Sequence, residues 1–299
     1  MKILMMIPLW RRPEVVRLFI DRFNVPDYAE VTPLFILSKE DPDIGVLRLI
    51  IKGFKSIVRP NEPLGAKKND GMMYALKSNW DYYMDMGSDN VWNPVMWQMY
   101  KPYFDKGTEY FGLKNIYSLN RLDNIANFTE GYHKDMFTEK PTALGVGRCI
   151  KRNIVEANVP LWRADWPRGL DGCSHYKLRK AGVDCEVIDN ARIPTILDIK
   201  TLTNLTLHLE IDTPESRVDP NWVRAAFGIS VYQSHCSDFR GHDDFEVFHT
   251  TVLKESNDTP TKRDAFNSVN IKYEIETGKR LYKNYNTYLA TVSRKHRKP

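Results

Sequence analysis

The chain lacks any long apolar run. Its most hydrophobic stretch, the opening "MKILMMIPLW", falls well short of the roughly 20 residues that span a bilayer. Arg11-Arg12-Pro13 follows it where a secretory signal would carry small residues and a cleavage site, so no signal peptide is expected. Cysteine is scarce. Cys149, Cys173, Cys185 and Cys236 form no CxxC pair and no zinc-ligand spacing, which argues against a disulfide scaffold and for reduced thiols inside a cell. Without a signal the acceptor triplets at Asn127, Asn204 and Asn257 read as chance matches. Charge of one sign is not in large excess: the net charge of +5 is compatible with a phosphate-bearing partner but does not require one. No low-complexity linker divides the chain. The expectation is a soluble, cytoplasmic protein.

What is present is globular. With 299 residues, 42% hydrophobic and 12% aromatic, the chain has material for a sizeable core. "KILMMIPL" is a continuous apolar run suited to a strand buried on both faces. "PEVVRLFIDRF" follows with Pro13 at a first helical position and Val16, Phe19, Ile20 and Phe23 on one stripe. "PLFILS" predicts a second strand, then "DPDIGVLRLIIKG" a helix with Asp41 as cap and Gly53 as stop. "FKSIVR" predicts a third strand, "LGAKKNDGMMYALKS" a third helix and "WDYYMDM" a fourth strand. That order predicts a doubly wound, mostly parallel α/β sheet with helices on both faces. Beyond residue 90, "NPVMWQMYKPYFDKG", "VGRCIKRNIVEA" and "LDGCSHYKLRKAG" read as helices, and "EYFGLKNIYSL" and "CEVID" as strands. From about Asp212 onward there is no clear period, which predicts a C-terminal extension over 212–299 after a catalytic domain over 1–211.

The run "WDYYMDMGSDN", Trp80 to Asn90, poses the functional question. Ligands of such sheets lie beyond the carboxyl ends of the strands, and Asp89 falls just past the end of the fourth. A lone carboxylate there suits a hard divalent cation whose shell is completed by phosphates and water. Gly, Ser, Asp and Asn are also the residues of a turn, and both readings stay open. Asp85 and Gly87 share the parity of Asp89, so Asp85 either supports the same face or is a buried carboxylate paired with a lysine.

Three blocks in order, "IPLWRRPEVVRLFIDRF", "LGAKKNDGMMYAL" and "DYYMDMGSDN", resemble the start of family-2-like glycosyltransferases of the GT-A (Rossmann-like) fold. The match is good over residues 1–100 and looser to about 190. The resemblance implies a nucleotide-diphosphate-sugar donor bound in 1–100, an acceptor side in 101–211, and Mn2+ or Mg2+. It implies that Asp89 matches the second acid of a DxD motif and holds the metal, while Gly87 replaces the first acid, so that either Ser88 assists or the metal is held weakly. It implies a nucleotide-binding loop from Pro8 to Arg12 with Trp10 as a stacking face, and contacts from Ser38, Glu40 or Asp41. It further implies that Lys68 and Asn69 bind the donor. Asp171 corresponds to the base that takes the acceptor proton, with an inverting displacement; as a plain sequence feature it could equally cap a helix.

Trp162 and Trp166, with Arg163 and Arg168, offer platforms for an acceptor sugar and cations for phosphate, or core and surface respectively. "LDIKTLTNLTLHLE" supplies Asp198, Lys200 and His208; Lys200 is a candidate for the diphosphate and His208 for the metal. Nucleotidyltransferases of the same layered architecture carry a G-x-G-T-R loop after the first strand, which "IPLWRRPE" lacks. The basic, tyrosine-rich segment from Lys272 keeps a nucleic-acid contact open, including an acceptor among modified bases of viral DNA or a non-enzymatic role. The acceptor is otherwise a glycan or a small molecule.

Overall fold

The computed structural model describes residues 1–121, 124–131, 142–191, 193–201 and 214–229, and the elements named here fall in one compact unit. The first half follows the alternation read from the sequence: β1 (Lys2–Pro8), α1 (Pro13–Asp21), β2 (Glu30–Ser38), α2 (Ile44–Ile50), β3 (Lys55–Arg59), α3 (Leu64–Ala75) and β4 (Tyr82–Asp85). Then come β5 (Asn90–Trp92), α4 (Val95–Lys106), β6 (Tyr110–Leu113), β7 (Asn115–Asn120) and β8 (Ile125–Glu130). β9 (Cys149–Lys151), α5 (Arg152–Asn158), α6 (Leu170–Lys180), β10 (Glu186–Ile188), β11 (Ile196–Lys200), β12 (Arg217–Val218) and α7 (Pro220–Phe227) complete the described elements.

The main sheet has the order β10-β6-β9-β4-β1-β2-β3. β3, β2, β1 and β4 run parallel, and β9 pairs antiparallel with both β4 and β6. The sheet is therefore largely parallel but mixed. A second mixed sheet, β12-β8-β7-β11-β5, was not foreseen. "VGRCIKRNIVEA" is not one helix: Cys149–Lys151 is a strand that passes directly into α5. "EYFGLKNIYSL" is cut at Lys114 into two strands of different sheets.

Side-chain alternation explains the layering. Ile3, Met5 and Ile7 of β1 pack with Phe19 of α1, Leu47 of α2 and Trp97 and Tyr100 of α4 on one face. Leu4 and Met6 pack with Met72 of α3, Val155 of α5 and Leu178 of α6 on the other. α1 serves both sheets, because Val15 and Leu18 join the second core with Tyr117, Leu197, Val223 and Phe227. Beyond residue 211, β12 is thus an edge strand of the second sheet and α7 packs on it. Asp41 is not the cap of α2; Asp43 holds that position, and the Asp41 carboxylate accepts from the amides of Asp43 and Arg11. Cys149, Cys173 and Cys185 are free thiols. Asn127 is fully buried in β8, closed to modification. Among the described residues no helix is long and apolar enough to cross a membrane. His208, Asn204, Asn257, Cys236 and the basic segment from Lys272 lie outside the described residues.

Candidate active site

The carboxyl ends of β1 and β4 carry the charged side chains that the sheet leaves unpacked. After β1, Arg11 and Arg12 both adopt left-handed backbone (φ 56° and 59°) before Pro13 starts α1. The turn brings the Arg12 guanidinium over the end of β4, where Nη1 donates to Asp89 Oδ2 at 3.1 Å and Nη2 to Ser88 Oγ at 3.4 Å. Gly87 to Asn90 is a tight turn, closed by Asn90 N on the Gly87 carbonyl (3.3 Å) and by Gly87 N on Asn90 Oδ1 (2.7 Å). The turn residues Ser88 and Asp89 are thus also members of the candidate site. Glycine at 87 has a steric reason: a Cβ there would stand 2.5 Å from Asp89 Oδ1 and from Asn90 Oδ1.

The second sheet adds the other half. β11 pairs antiparallel with β5, setting Asp198 opposite Asn90, and Ile199 N donates to the Asp89 carbonyl at 2.8 Å. Lys200, on the same strand face as Asp198, reaches its Oδ2 at 2.6 Å. Arg12, Asp89, Asp198 and Lys200 therefore interact as one electrostatic cluster. Burial opposes the charge of Asp89, but Arg12 and Lys200 outweigh it and hold its carboxyl below the ordinary value. Asp198 goes the other way, pushed up to about 6: burial is the main cause, Lys200 relieves part of it, and the charge of Asp89 adds to it. Two close carboxylates resist ionising together.

A divalent cation fits this corner by its donors. Asp198 Oδ1 is buried with no hydrogen-bond partner among the described residues, and the neighbouring carboxylate of Asp89 is the second hard oxygen donor. The set stops at these two carboxylates among the described residues. Magnesium and manganese are ordinarily held by one or two carboxylates with phosphates and water.

Several expected contacts face inward instead. The Lys68 ammonium pairs with Asp85 Oδ2 at 2.5 Å, inside the protein, and lies 4.5 Å over the Trp162 ring. Of the two readings of Asp85, the buried carboxylate paired with a lysine is the one observed. Asn69 is spent on Trp162, donating to its carbonyl (2.8 Å) and accepting from its amide (3.2 Å). Trp162 itself is 3% exposed and is core, so it offers no face to an acceptor. Ser38 is fully buried, donating to the Leu9 carbonyl at 2.7 Å. Lys67, which the sequence did not single out, meets the same carbonyl at 2.7 Å and Ser38 Oγ at 2.5 Å. Its burial pushes the ammonium down to about 8.

Other candidates remain at the surface. Pro8 ends β1, Trp10 is half-buried with the Arg11 guanidinium 5.1 Å from its ring, and Glu40 is exposed and accepts from Asn61 N. Trp166 is 36% exposed under the Arg163 guanidinium. Asp171 is the second residue of α6, whose cap position is Gly169. It is therefore not the helix cap.

No protein-family model matches the chain, and no curated protein matches it. Solved structures do. S. aureus TarS 1–349 aligns at 9% identity and TM-score 0.45, covering 67% of this chain and 60% of that one. Its complex with UDP-GlcNAc aligns at 9% and 0.47, covering 92% and 73%. Mannosyltransferase PcManGT from Pyrobaculum calidifontis, in complex with GDP-Man and Mn2+, aligns at 11% and 0.47, covering 98% and 84%. The chain is structurally similar to these glycosyltransferases. At such identities and TM-scores the likeness lends no residue a role.

Proposed function

We propose that the chain transfers a sugar from a nucleotide-diphosphate-sugar to an acceptor hydroxyl, inverting the anomeric carbon. The observation that carries this reading is the convergence of Arg12, Ser88, Asp89, Asp198 and Lys200 at the carboxyl ends of the parallel strands. Two cations that already bond carboxylate oxygens there are suited to the oxygens of a diphosphate. In the reaction the bond from the anomeric carbon to the diphosphate oxygen breaks, with its electron pair leaving on the diphosphate. A bond from the acceptor oxygen forms, and the acceptor proton passes to Asp171. Arg12 and Lys200 lie where charge grows on the leaving group, the point at which fixed charges lower a barrier most. Asp89 and Asp198 would hold Mn2+ or Mg2+, which when bound supplies Lewis-acid charge to the same oxygens. Trp10 offers the base a ring face, Glu40 can accept from ribose hydroxyls, and Trp166 can pack on an acceptor.

A thermal-shift screen of UDP- and GDP-sugars with and without Mn2+ tests the reading. A nucleotide-sugar should stabilise the protein only with the metal, and Asp89→Ala should lose both that shift and release of the nucleoside diphosphate. Undiminished binding and release in Asp89→Ala would refute it.

A further inference from the structure

Nothing so far explains what aims the Asp171 carboxylate. It sits in the first turn of a helix whose cap position is a glycine, which has no side chain to share that turn. It does lie flat against a backbone: a Cβ added at Gly145 would stand 2.1 Å from Asp171 Cγ and 2.2 Å from each carboxylate oxygen. Gly145 opens a turn closed by Arg148 N on its carbonyl at 3.2 Å. That turn is fastened to the end of β4, with Gly147 N on the Asp85 carbonyl (2.7 Å) and Asp85 N on the Arg148 carbonyl (3.0 Å). The Arg148 guanidinium, 2% exposed, then ties the turn to α6. Nη2 donates to the Ala143 carbonyl (2.7 Å), Nε to Leu144 (3.2 Å), and Nη1 to the Asp171 carbonyl (2.9 Å) and Ser174 Oγ (3.1 Å).

We infer that Gly145 and Arg148 are positioning residues for the base. Gly145 acts by leaving open the space that the Asp171 carboxylate fills, and Arg148 by locking that backbone to the helix bearing it. The inference rests on the reading of Asp171 as the group that takes the acceptor proton. Gly145→Ala is a clean probe, because the three atoms nearest the added methyl all belong to the Asp171 carboxylate and none to backbone. The Asp171 carboxylate must move to make room, which is the displacement the probe is meant to cause. Arg148→Lys keeps the charge, but one ammonium cannot span the four acceptors.

The experiment measures nucleoside diphosphate release from UDP-glucose and GDP-mannose in Mn2+, water serving as acceptor, with donor affinity determined separately by calorimetry. Misplacing a reacting group by about 1 Å costs on the order of 100-fold. Gly145→Ala should therefore lose roughly that factor in kcat, with donor affinity at the wild-type value. In an Asp171→Asn background it should cause no further loss, because it acts through that carboxylate. Arg148→Lys should lower kcat in the same way. Wild-type turnover in Gly145→Ala, a loss confined to donor KM, or losses that multiply in the double variant overturn the inference alone. A wild-type protein that binds neither donor removes the transferase reading and this inference with it.

Discussion

Replacing Asp198 with Asn separates the two demands made on that side chain. In the ligand-free protein its carboxyl keeps a proton up to about pH 6, whereas in the unfolded chain it loses it near 3.9, as ordinary aspartates do. The folded value is the higher one. The group's contribution to stability is therefore complete below about pH 4 and is lost as the pH climbs through about 6. At about 1.4 kcal/mol for each tenfold step, the loss is on the order of 3 kcal/mol. Asparagine has the shape of the protonated acid and no proton to lose. Asp198→Asn should melt with the wild type near pH 4.5 and above it at pH 7.5, by roughly 5–10 °C. The gain is trimmed because Lys200 is left with Asp89 as its remaining carboxylate. Mn2+ reverses the order, since it stabilises the wild type in proportion to its binding and the variant has lost one of two donors. Melting curves of both proteins from pH 4.5 to 8.5, with and without Mn2+, make the comparison. Parallel pH profiles, or equal stabilisation of both by Mn2+, would refute the reasoning.

Gly87→Asp should weaken Mn2+ binding in calorimetry, because its Cβ collides with Asp89 and Asn90; overpacking of that kind costs about 1–3 kcal/mol. Lys68→Met strands the Asp85 carboxylate and should cost about 3–5 kcal/mol in denaturant unfolding. Adding Asp85→Asn should recover much of that loss, and a double variant no more stable than the single one would contradict the pairing. Trp162→Ala should destabilise by about 3–5 kcal/mol as a core truncation. Trp166→Ala should leave stability within about 0.5 kcal/mol and raise KM for the acceptor; equal melting temperatures for the two variants would show that their burial is misjudged.

The parallel half of the fold was legible because each of its elements carries its own signal. Apolar runs long enough to be strands alternate with a Pro-led stripe and Gly-terminated segments up to residue 90. Past that point the signals become shorter than the elements they should announce. Cys149–Lys151 has too few residues to show alternation before α5 begins, so its antiparallel pairing with β4 and β6 is a property of the assembled sheet. The same limit governs the site. Asp89 was singled out from local sequence alone, because it falls just past the end of an apolar strand, in a run of turn-forming residues. Lys67 and Lys68 are neighbours in "AKKND", yet one ammonium meets the Leu9 carbonyl and the other Asp85; only the packing of α3 on the sheet tells a buried lysine from a surface one. Asp198 and Lys200 did carry a local signal, two charges at alternate positions of an apolar strand that must share a face. What joins them to Asp89 is the pairing of β11 with β5 across about a hundred residues of chain. A register slip of one residue there would turn both charges to the opposite face. The candidate site is thus only half legible in one local stretch, and its other half lies in a strand register that no short stretch records.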